Sequence, residues 1–178
     1  MRYNELTFQG RNAVLEAFRS GKTIDKLFIL DGCQDGPINS IVREAKKTDA
    51  IINYVDKERL DRLAGTGHHQ GVVAIGAAYE YAEVEDILAA AKEKGEDPFI
   101  FILDEIEDPH NLGAIIRTAN LAGAHGVIIP KRRAVGLTAT VAKTSAGAIN
   151  YTPVAKVTNI SQTIEELKKQ GLWFVCAD

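Results

Sequence analysis

Short apolar runs alternate with segments of helical spacing along the chain. Residues 99–103 form an unbroken apolar run, FIFIL, which is too short for an independent helix and typical of a strand buried on both faces of a parallel sheet. From Leu112 to Ala119 the apolar residues recur at helical spacing, and residues 126–130 are again apolar. This order predicts a strand–helix–strand unit with a right-handed crossover, and it places any ligand beyond the carboxyl ends of the strands.

Asn111 is predicted to begin the helix of this unit. Asn is a good N-cap, and Pro109 disfavours helical dihedrals in the residue before it. Arg117 lies off the apolar face, one turn after Gly113, and a helical side chain leans back over the preceding turn. Because glycine leaves that turn open, we expect the guanidinium to reach toward the loop that holds Asn111. On these two residues alone, a helix cap and a solvent-facing arginine are the simpler interpretation.

The amino-terminal part of the chain alternates short apolar runs with amphipathic segments. Predicted strands cover residues 27–30, 51–55 and 71–75, and predicted helices cover residues 12–18, 38–47 and 57–63. Strands alternating with short helices are typical of a compact α/β layer domain, which we place at residues 1–76. Neither a glycine-rich dinucleotide fingerprint nor a P-loop follows any predicted strand, which disfavours a nucleotide-dependent oxidoreductase.

The composition shifts toward acidic residues and alanine in residues 77–97. Apolar residues from Val84 to Ala91 recur there at helical spacing, so we interpret this segment as an acidic linker that contains one helix. Residues 98–178 form the second predicted domain. Its last predicted strand, residues 172–177, has the apolar character of a strand in the middle of a sheet, where a domain rarely ends. We therefore expect this domain to be carboxyl-terminally incomplete.

The composition is that of a globular protein, because 46% of the 178 residues are hydrophobic and can form a sizeable core. No apolar run approaches the roughly 18 residues of a membrane span, and the start of the chain lacks the apolar centre of a signal peptide. Two cysteines without a CxxC pattern favour reduced thiols in the cytoplasm over a disulfide framework.

The net charge of −3 is unevenly distributed. Residues 76–97 hold two lysines against seven acidic residues, so the acidic excess lies in and beside the predicted linker. Attraction to phosphate depends on local patches more than on the total charge. The overall charge therefore neither supports nor excludes an RNA partner.

Lys131, Arg132 and Arg133 follow the second strand of the central unit, at its carboxyl end. Three adjacent cations there are candidates for holding a phosphate, and a solvated basic loop is an equally good interpretation. His68 and His69 do not predict a metal site, because neighbouring strand residues point to opposite faces and no other His or Cys cluster lies near them in the sequence. We expect no metal.

The run LDEIEDPHNLGAIIRTANLAGAHGVIIP resembles motif 1 of the SpoU/TrmH group of the SPOUT superfamily, which are RNA ribose 2′-O-methyltransferases that use S-adenosylmethionine. The matching positions are Asp108, Pro109, Asn111, Gly113, Arg117, Thr118 and Ala119. Three further stretches, GRNAV, HHQGVVA and KTSAGA with the following PVAKVTN, resemble the subgroup that methylates a guanosine ribose in large-subunit ribosomal RNA. The resemblance covers essentially the whole chain.

This resemblance implies a small L30e/L7Ae-like α/β domain that binds the RNA substrate, followed by the amino-terminal part of a parallel-sheet SPOUT domain, an α/β knot. It implies methyl transfer from S-adenosylmethionine to the ribose 2′-hydroxyl of RNA, foremost of a guanosine in 23S ribosomal RNA. Asn111 and Arg117 are then the catalytic candidates. The RNA-binding candidates are Arg11, Lys131, Arg132, Arg133, Lys143 and Ser145.

In this family the cofactor is held by two later motifs, and neither occurs before Asp178. The cofactor-contacting residues are therefore unknown, and we expect this chain alone to be inactive. The resemblance also implies a homodimer. Two alternatives stay open: a transfer RNA 2′-O-methyltransferase, and a non-catalytic RNA-binding protein on the same scaffold.

Overall fold

The computed structural model describes residues 6–48, 50–65 and 67–177. Internal contacts divide the chain into two units, Met1–Glu80 and Tyr81–Asp178. Both units combine helices with a sheet, so the predicted α/β class is confirmed.

The first unit is built on a four-stranded mixed sheet of order β1-β4-β2-β3. Its strands are β1 (Leu6–Gln9), β2 (Ile24–Leu30), β3 (Ile51–Val55) and β4 (Val72–Gly76), and its helices are α1 (Arg11–Arg19), α2 (Gly36–Lys47) and α3 (Lys57–Ala64). β2 is parallel to β3, whereas β4 is antiparallel to both β1 and β2. The sequence did not predict β1, which is short and carries two polar residues.

Helices cover both faces of this sheet. On one face α1 and α2 pack through Val14 and Ile41 against Leu27, all fully buried. On the other face α3 packs through Leu60 against Phe28. These apolar residues follow the periodicity of their elements, which is why the sequence predicted this layer correctly.

The turn that enters β4 is held by a buried histidine. His69 Nδ1 accepts a hydrogen bond from the Gly71 amide at 3.0 Å, so its Nε2 carries the proton and donates to Asp61 at 2.8 Å. Both ring nitrogens of His69 are therefore used by the fold, within the turn itself.

The second unit is built on a parallel sheet of order β5-β6-β7. Its elements are α4 (Val84–Lys94), β5 (Ile100–Ile102), α5 (Pro109–Leu121), β6 (Gly126–Pro130), α6 (Ala139–Thr144), a 3₁₀ turn (Ala148–Asn150), β7 (Val154–Val157) and α7 (Ile160–Lys169). The predicted strand–helix–strand unit is β5-α5-β6. β6 is buried along its whole length, as a central parallel strand requires.

The helix of the acidic segment, α4, belongs to the second unit. Ile87 is fully buried and packs with Ile128, Ala155 and Leu167, so α4 and α7 contribute to one hydrophobic core with the sheet. A Cβ on Gly126 would come within 2.5 Å of the Ile87 side chain, which shows how closely α4 approaches β6. The segment that the sequence placed in a linker therefore carries a helix that is integral to this unit.

The predicted strand at residues 172–177 is wrong. These residues form no strand, and Trp173 and Val175 are 97% and 98% exposed. The apolar run was interpreted as buried, but it pairs with neither edge of the described sheet, and a strand needs such a partner for its backbone groups. No helix in the described part of the chain has the length and apolar character of a membrane span.

Candidate functional site

The carboxyl ends of β5, β6 and β7 lie at one edge of the parallel sheet, and the loops that follow them converge there. In the loop after β6, Val135 N donates to the Ile106 carbonyl of the loop after β5, at 2.8 Å. Lys131 N donates to the carbonyl of Val157, the last residue of β7, also at 2.8 Å. The backbone thus ties the three strand ends together, where ligands of such sheets bind.

Asp108, and not Asn111, caps helix α5. Its Oδ1 accepts hydrogen bonds from His110 N at 2.7 Å and from Asn111 N at 3.0 Å, and Pro109 is the first helical residue. The prediction that Asn111 begins the helix is therefore wrong by three residues. Proline favours the first helical position because it has no amide hydrogen to leave unpaired there, which places the cap one residue earlier. Asn111 is consequently exposed in the first turn.

Gly113 is the point at which α5 meets α6. A Cβ at this position would lie 1.9 Å from Thr144 Oγ1, 2.8 Å from Thr144 Cβ and 3.0 Å from Ser145 N. Thr144 Oγ1 in turn donates to the Thr140 carbonyl at 2.9 Å. The expectation that Gly113 leaves room for Arg117 is therefore corrected, because α6 fills that space.

Arg117 lies one turn after this contact and is exposed. Asn111 is on the same helix, but the six intervening steps separate the two residues by about 9 Å along the axis and about 120° around it. In the described part of the chain, neither side chain has a hydrogen-bond or ion-pair partner. The structure thus leaves both groups available to a ligand and does not pair them with each other.

The basic candidates of the second unit differ in their surroundings. Arg133 is paired with Glu105 of the loop after β5, at 2.6 Å, and adopts a φ of 56°. Lys131 is half-buried, whereas Arg132 is exposed. Lys143 is also exposed and directly precedes Thr144, the residue that contacts Gly113, and Arg117 lies one turn after Gly113 on α5. Among the candidates of this unit, Arg132, Lys143 and Arg117 are therefore the ones that are exposed and have no side-chain partner in the described part of the chain.

Ser145 does not face solvent. It is fully buried, and its hydroxyl donates to the Ala142 carbonyl at 3.0 Å. The prediction of an RNA contact at Ser145 is corrected for this reason: a small side chain is needed where α6 ends close to Gly113 of α5.

Arg11 is held within the first unit. Its guanidinium pairs with Asp35, the N-cap of α2, and its Nε donates to the Gln70 carbonyl at 3.2 Å. The Arg11 amide donates to Gln70 Oε1 at 3.0 Å. These contacts join the start of α1 to the start of α2 and to the turn before β4. They give Arg11 a structural role, and the RNA contact predicted for its partly exposed side chain stays a prediction.

Replacing Arg11 by alanine is therefore expected to lower the free energy of unfolding by about 1 kcal/mol, because a partly exposed ion pair and a hydrogen bond are removed. Asp35→Asn keeps an N-cap acceptor but loses the charge, and it should reproduce part of this effect. Urea denaturation of Arg11→Ala, Asp35→Asn and the double variant measures the coupling. Additive effects would contradict the pairing, and Arg19→Ala is the exposed arginine control.

Tyr81 was not singled out from the sequence. Its hydroxyl accepts hydrogen bonds from Leu137 N at 2.9 Å and from Lys156 Nζ at 3.2 Å, and the same ammonium lies 4.4 Å from the ring centroid. Tyr81 thus fixes the end of the loop after β6. No periodicity or motif marks this tyrosine, because its partners are distant in the sequence.

The described residues contain no group of three or more His, Cys, Asp or Glu side chains that could hold a metal ion. On α7, Lys168 donates to Glu165 and holds the pKa of that exposed carboxyl below its usual value. This pair lies outside the candidate residues.

Two family models match the chain. The model of the SpoU rRNA Methylase family matches residues 98–178. The model described as RNA 2′-O ribose methyltransferase substrate binding matches residues 9–82. The first match contains Asn111 and Arg117.

Relatives that are all assigned to the same family are similar to this chain over nearly its whole length. A Bacillus subtilis protein assigned to the TrmH family of tRNA/rRNA methyltransferases is 54% identical over 169 residues, covering 95% of this chain and 68% of that protein. A Staphylococcus haemolyticus protein of the same assignment is 48% identical over 174 residues, covering 98% and 70%. The crystal structure of an AdoMet-bound rRNA methyltransferase from Sinorhizobium meliloti has a TM-score of 0.43 and 23% identity, covering 91% of this chain and 58% of that one. The chain spans part of the length of each.

Proposed function

This chain belongs to the TrmH family of tRNA/rRNA methyltransferases, and we propose that it takes part in methylation of the ribose 2′-hydroxyl of a nucleotide in RNA. The 2′-hydroxyl as acceptor is supported by the substrate-binding match over residues 9–82. One observation carries the assignment of the site: Arg117 is exposed, lacks a partner among the described residues, and lies on the helix that follows β5.

S-adenosylmethionine is the methyl donor that the family implies, and its sulfonium makes the methyl group ready for displacement. The described side chains at the carboxyl edge of the sheet include exposed Asp104, Glu105 and Glu107. Three exposed carboxylates of one loop do not form a cofactor pocket by themselves, so no cofactor contact is assigned among the described residues. The chemistry proposed for this chain therefore concerns the RNA side of the reaction alone.

Arg117 is proposed to hold the target phosphate and to stabilise the developing alkoxide. A guanidinium presents a fixed fork of donors to a phosphate and keeps its proton at any working pH, so it suits a clamp and not a general base. Asn111, which is exposed in the first turn of α5, would orient the ribose. Correct alignment of the reacting groups can contribute roughly 7–11 kcal/mol.

The remaining RNA contacts are proposed on both units. Exposed Arg132 and Lys143 would meet the RNA backbone near Arg117, with Lys131 and Arg133 beside them. The predicted first domain, residues 1–76, is proposed to bind the RNA substrate, and the substrate-binding match over residues 9–82 supports this.

The finer assignment is a guanosine of large-subunit ribosomal RNA, with the protein acting as a homodimer in the cytoplasm. The resemblance of GRNAV, HHQGVVA and KTSAGA to the ribosomal RNA subgroup supports this target. Bacterial ribosomal RNA is made and assembled in the cytoplasm, which is the basis for the location.

The test is to map 2′-O-methyl groups in ribosomal and transfer RNA from a strain that lacks the gene, and from the same strain carrying it again. We expect one ribose methyl group in large-subunit ribosomal RNA to disappear and return. A site that disappears from transfer RNA would change the substrate, and unchanged methylation of both RNA classes would refute the proposal.

A further inference from the structure

The carboxyl ends of α1 and α2 lie together at one end of the first unit. β1 and β2 are parallel, since β4 is antiparallel to both, and β2 and β3 are parallel neighbours with Lys26 opposite Ile51. Each helix connects two parallel strands and packs on the same sheet face through Val14 and Ile41. Both helices therefore run back to the amino ends of these strands and finish there, with axes about 8–10 Å apart as packed helices require.

This end of the unit is rich in cations. We call it the basic end, and its residues are Arg19, Lys22, Lys26, Arg43, Lys46 and Lys47. Lys26 is half-buried and the other five are exposed. Lys47 pairs with Glu44 at 2.9 Å. Within the described ranges, the remaining cations of the basic end have no hydrogen-bond or ion-pair partner for their side chains.

Acidic side chains do not neutralise the basic end. Of the described acids near it, Glu44 is paired with Lys47 and Asp25 is buried. Glu16, and Glu80 shortly after β4, remain exposed and have no partner among the described residues. Asp49, which follows α2 in the sequence, lies outside the described residues.

The opposite end of the same unit carries both signs of charge. Asp31, Asp35, Asp56 and Glu58 are exposed there, Arg11 is neutralised by Asp35, and exposed Lys57 and Arg59 lie beside Asp56 and Glu58 at the start of α3. Cations thus outnumber acids at the basic end, whereas the opposite end mixes cations with carboxylates, so the basic end is the better surface for a polyanion.

We propose that the basic end is a phosphate-binding surface for the backbone of the substrate RNA. Affinity for nucleic acid comes largely from lysine and arginine side chains that replace counterions at phosphates, and such contacts position the nucleic acid without reading its sequence. This inference rests on the proposed function, because a unit that binds the RNA substrate needs a surface that contacts RNA. Neither the family match nor the names of the relatives assign one.

The test compares two triple variants of the full chain. Arg19→Gln/Lys22→Gln/Lys46→Gln neutralises the basic end. Lys57→Gln/Arg59→Gln/Arg62→Gln on α3 removes the same number of cations from elsewhere in the same unit. Binding of a fluorescein-labelled, protein-free transcript of large-subunit ribosomal RNA is measured between about 0.05 and 0.5 M KCl, because electrostatic contacts with phosphates weaken over roughly this range. Thermal unfolding checks that both variants fold.

In the basic-end variant, we expect the slope of log K against log salt to flatten by about 2, since each neutralised phosphate of single-stranded nucleic acid contributes about 0.7. That corresponds to roughly fivefold weaker binding at 0.1 M salt for each phosphate that is no longer neutralised, or about a hundredfold for three. The α3 variant should bind within about fivefold of the parent with a nearly unchanged slope, as for charges that touch no phosphate. Equal flattening in both variants, or none in either, overturns the proposal.

Methyl transfer from labelled S-adenosylmethionine, measured with the gene product and with the gene product carrying the same substitutions, separates this inference from the proposed function. If the parent protein methylates RNA but the basic-end variant binds as the parent does, the surface assignment fails and the reaction stands. If no methylation occurs but the slope of log K against log salt flattens in the basic-end variant alone, the proposed reaction is refuted and the surface assignment stands.

Discussion

Gly113→Ala is expected to lower the free energy of unfolding by about 1–3 kcal/mol. Its new Cβ would lie 1.9 Å from Thr144 Oγ1 and 2.8 Å from Thr144 Cβ, far inside van der Waals distance. Alanine favours a helix over glycine by about 1 kcal/mol, but overpacking at a close approach costs about 1–3 kcal/mol or more. The clash also displaces the hydroxyl that donates to the Thr140 carbonyl, so α6 should no longer pack closely on α5.

The matched control is Gly36→Ala, because Gly36 is the first residue of a helix and a Cβ there would meet nothing within 4 Å. The free energy of unfolding of each variant is measured by urea denaturation. The double variant Gly113→Ala/Thr144→Ala removes the closest clash and should be more stable than the sum of its single effects. Equal stability of Gly113→Ala and Gly36→Ala would show that the two helices do not approach as described.

Periodicity of apolar residues correctly predicted the elements whose apolar pattern is visible within the segment itself. The apolar runs at residues 99–103 and 126–130 became β5 and β6, and the helical spacing between them became α5. The run at residues 172–177 shows the limit of the same signal, because its apolar character says nothing about whether a neighbouring strand exists. Strand pairing is a property of two segments, and one segment cannot report it.

The sequence identified candidate residues from the chemistry of their side chains, but it did not reveal what each side chain contacts in the fold. Arg11 and Ser145 both carry polar side chains that could contact RNA, and the fold uses both internally, through Asp35 and through the α5–α6 packing. Those partners lie on other elements or depend on how two helices pack, so no spacing reveals them. The N-cap at Asp108 could have been placed from the sequence, since proline at the first helical position fixes the cap before it.

Arg117 differs from these residues. The sequence marked it as a candidate, and the structure shows that its side chain is exposed and has no partner among the described residues. Three of the other basic candidates are used in part by the protein: Arg11 by Asp35, Arg133 by Glu105, and Lys131 by its half-buried position. The Arg117 side chain is exposed and has no partner among the described residues, so it is available to bind a ligand.

Arg117→Ala is therefore expected to reduce the rate of methyl transfer at saturating RNA by about 10²–10³-fold, which is the reduction expected when one preorganised donor to a developing oxyanion is removed. The free energy of unfolding should change by less than about 0.5 kcal/mol, because an exposed side chain without a partner supports no packing. The rates are measured with the gene product and methyl-labelled S-adenosylmethionine. Arg59→Ala on α3, in the other unit, is the control.

Arg117→Lys distinguishes a clamp from a general base. An ammonium keeps a positive charge but cannot present two parallel donors to a phosphate, so a clamp should become about tenfold slower or more at every pH. A base behaves otherwise: arginine holds its proton, whereas lysine can release one, so Arg117→Lys would gain activity as the pH rises toward the ordinary lysine pKa of about 10.4. We expect the rates of Arg117→Lys and of the parent to run parallel between about pH 6.5 and 9.5, a window below that value. A fully active Arg117→Lys protein, or one that recovers at high pH, would leave the phosphate clamp without support.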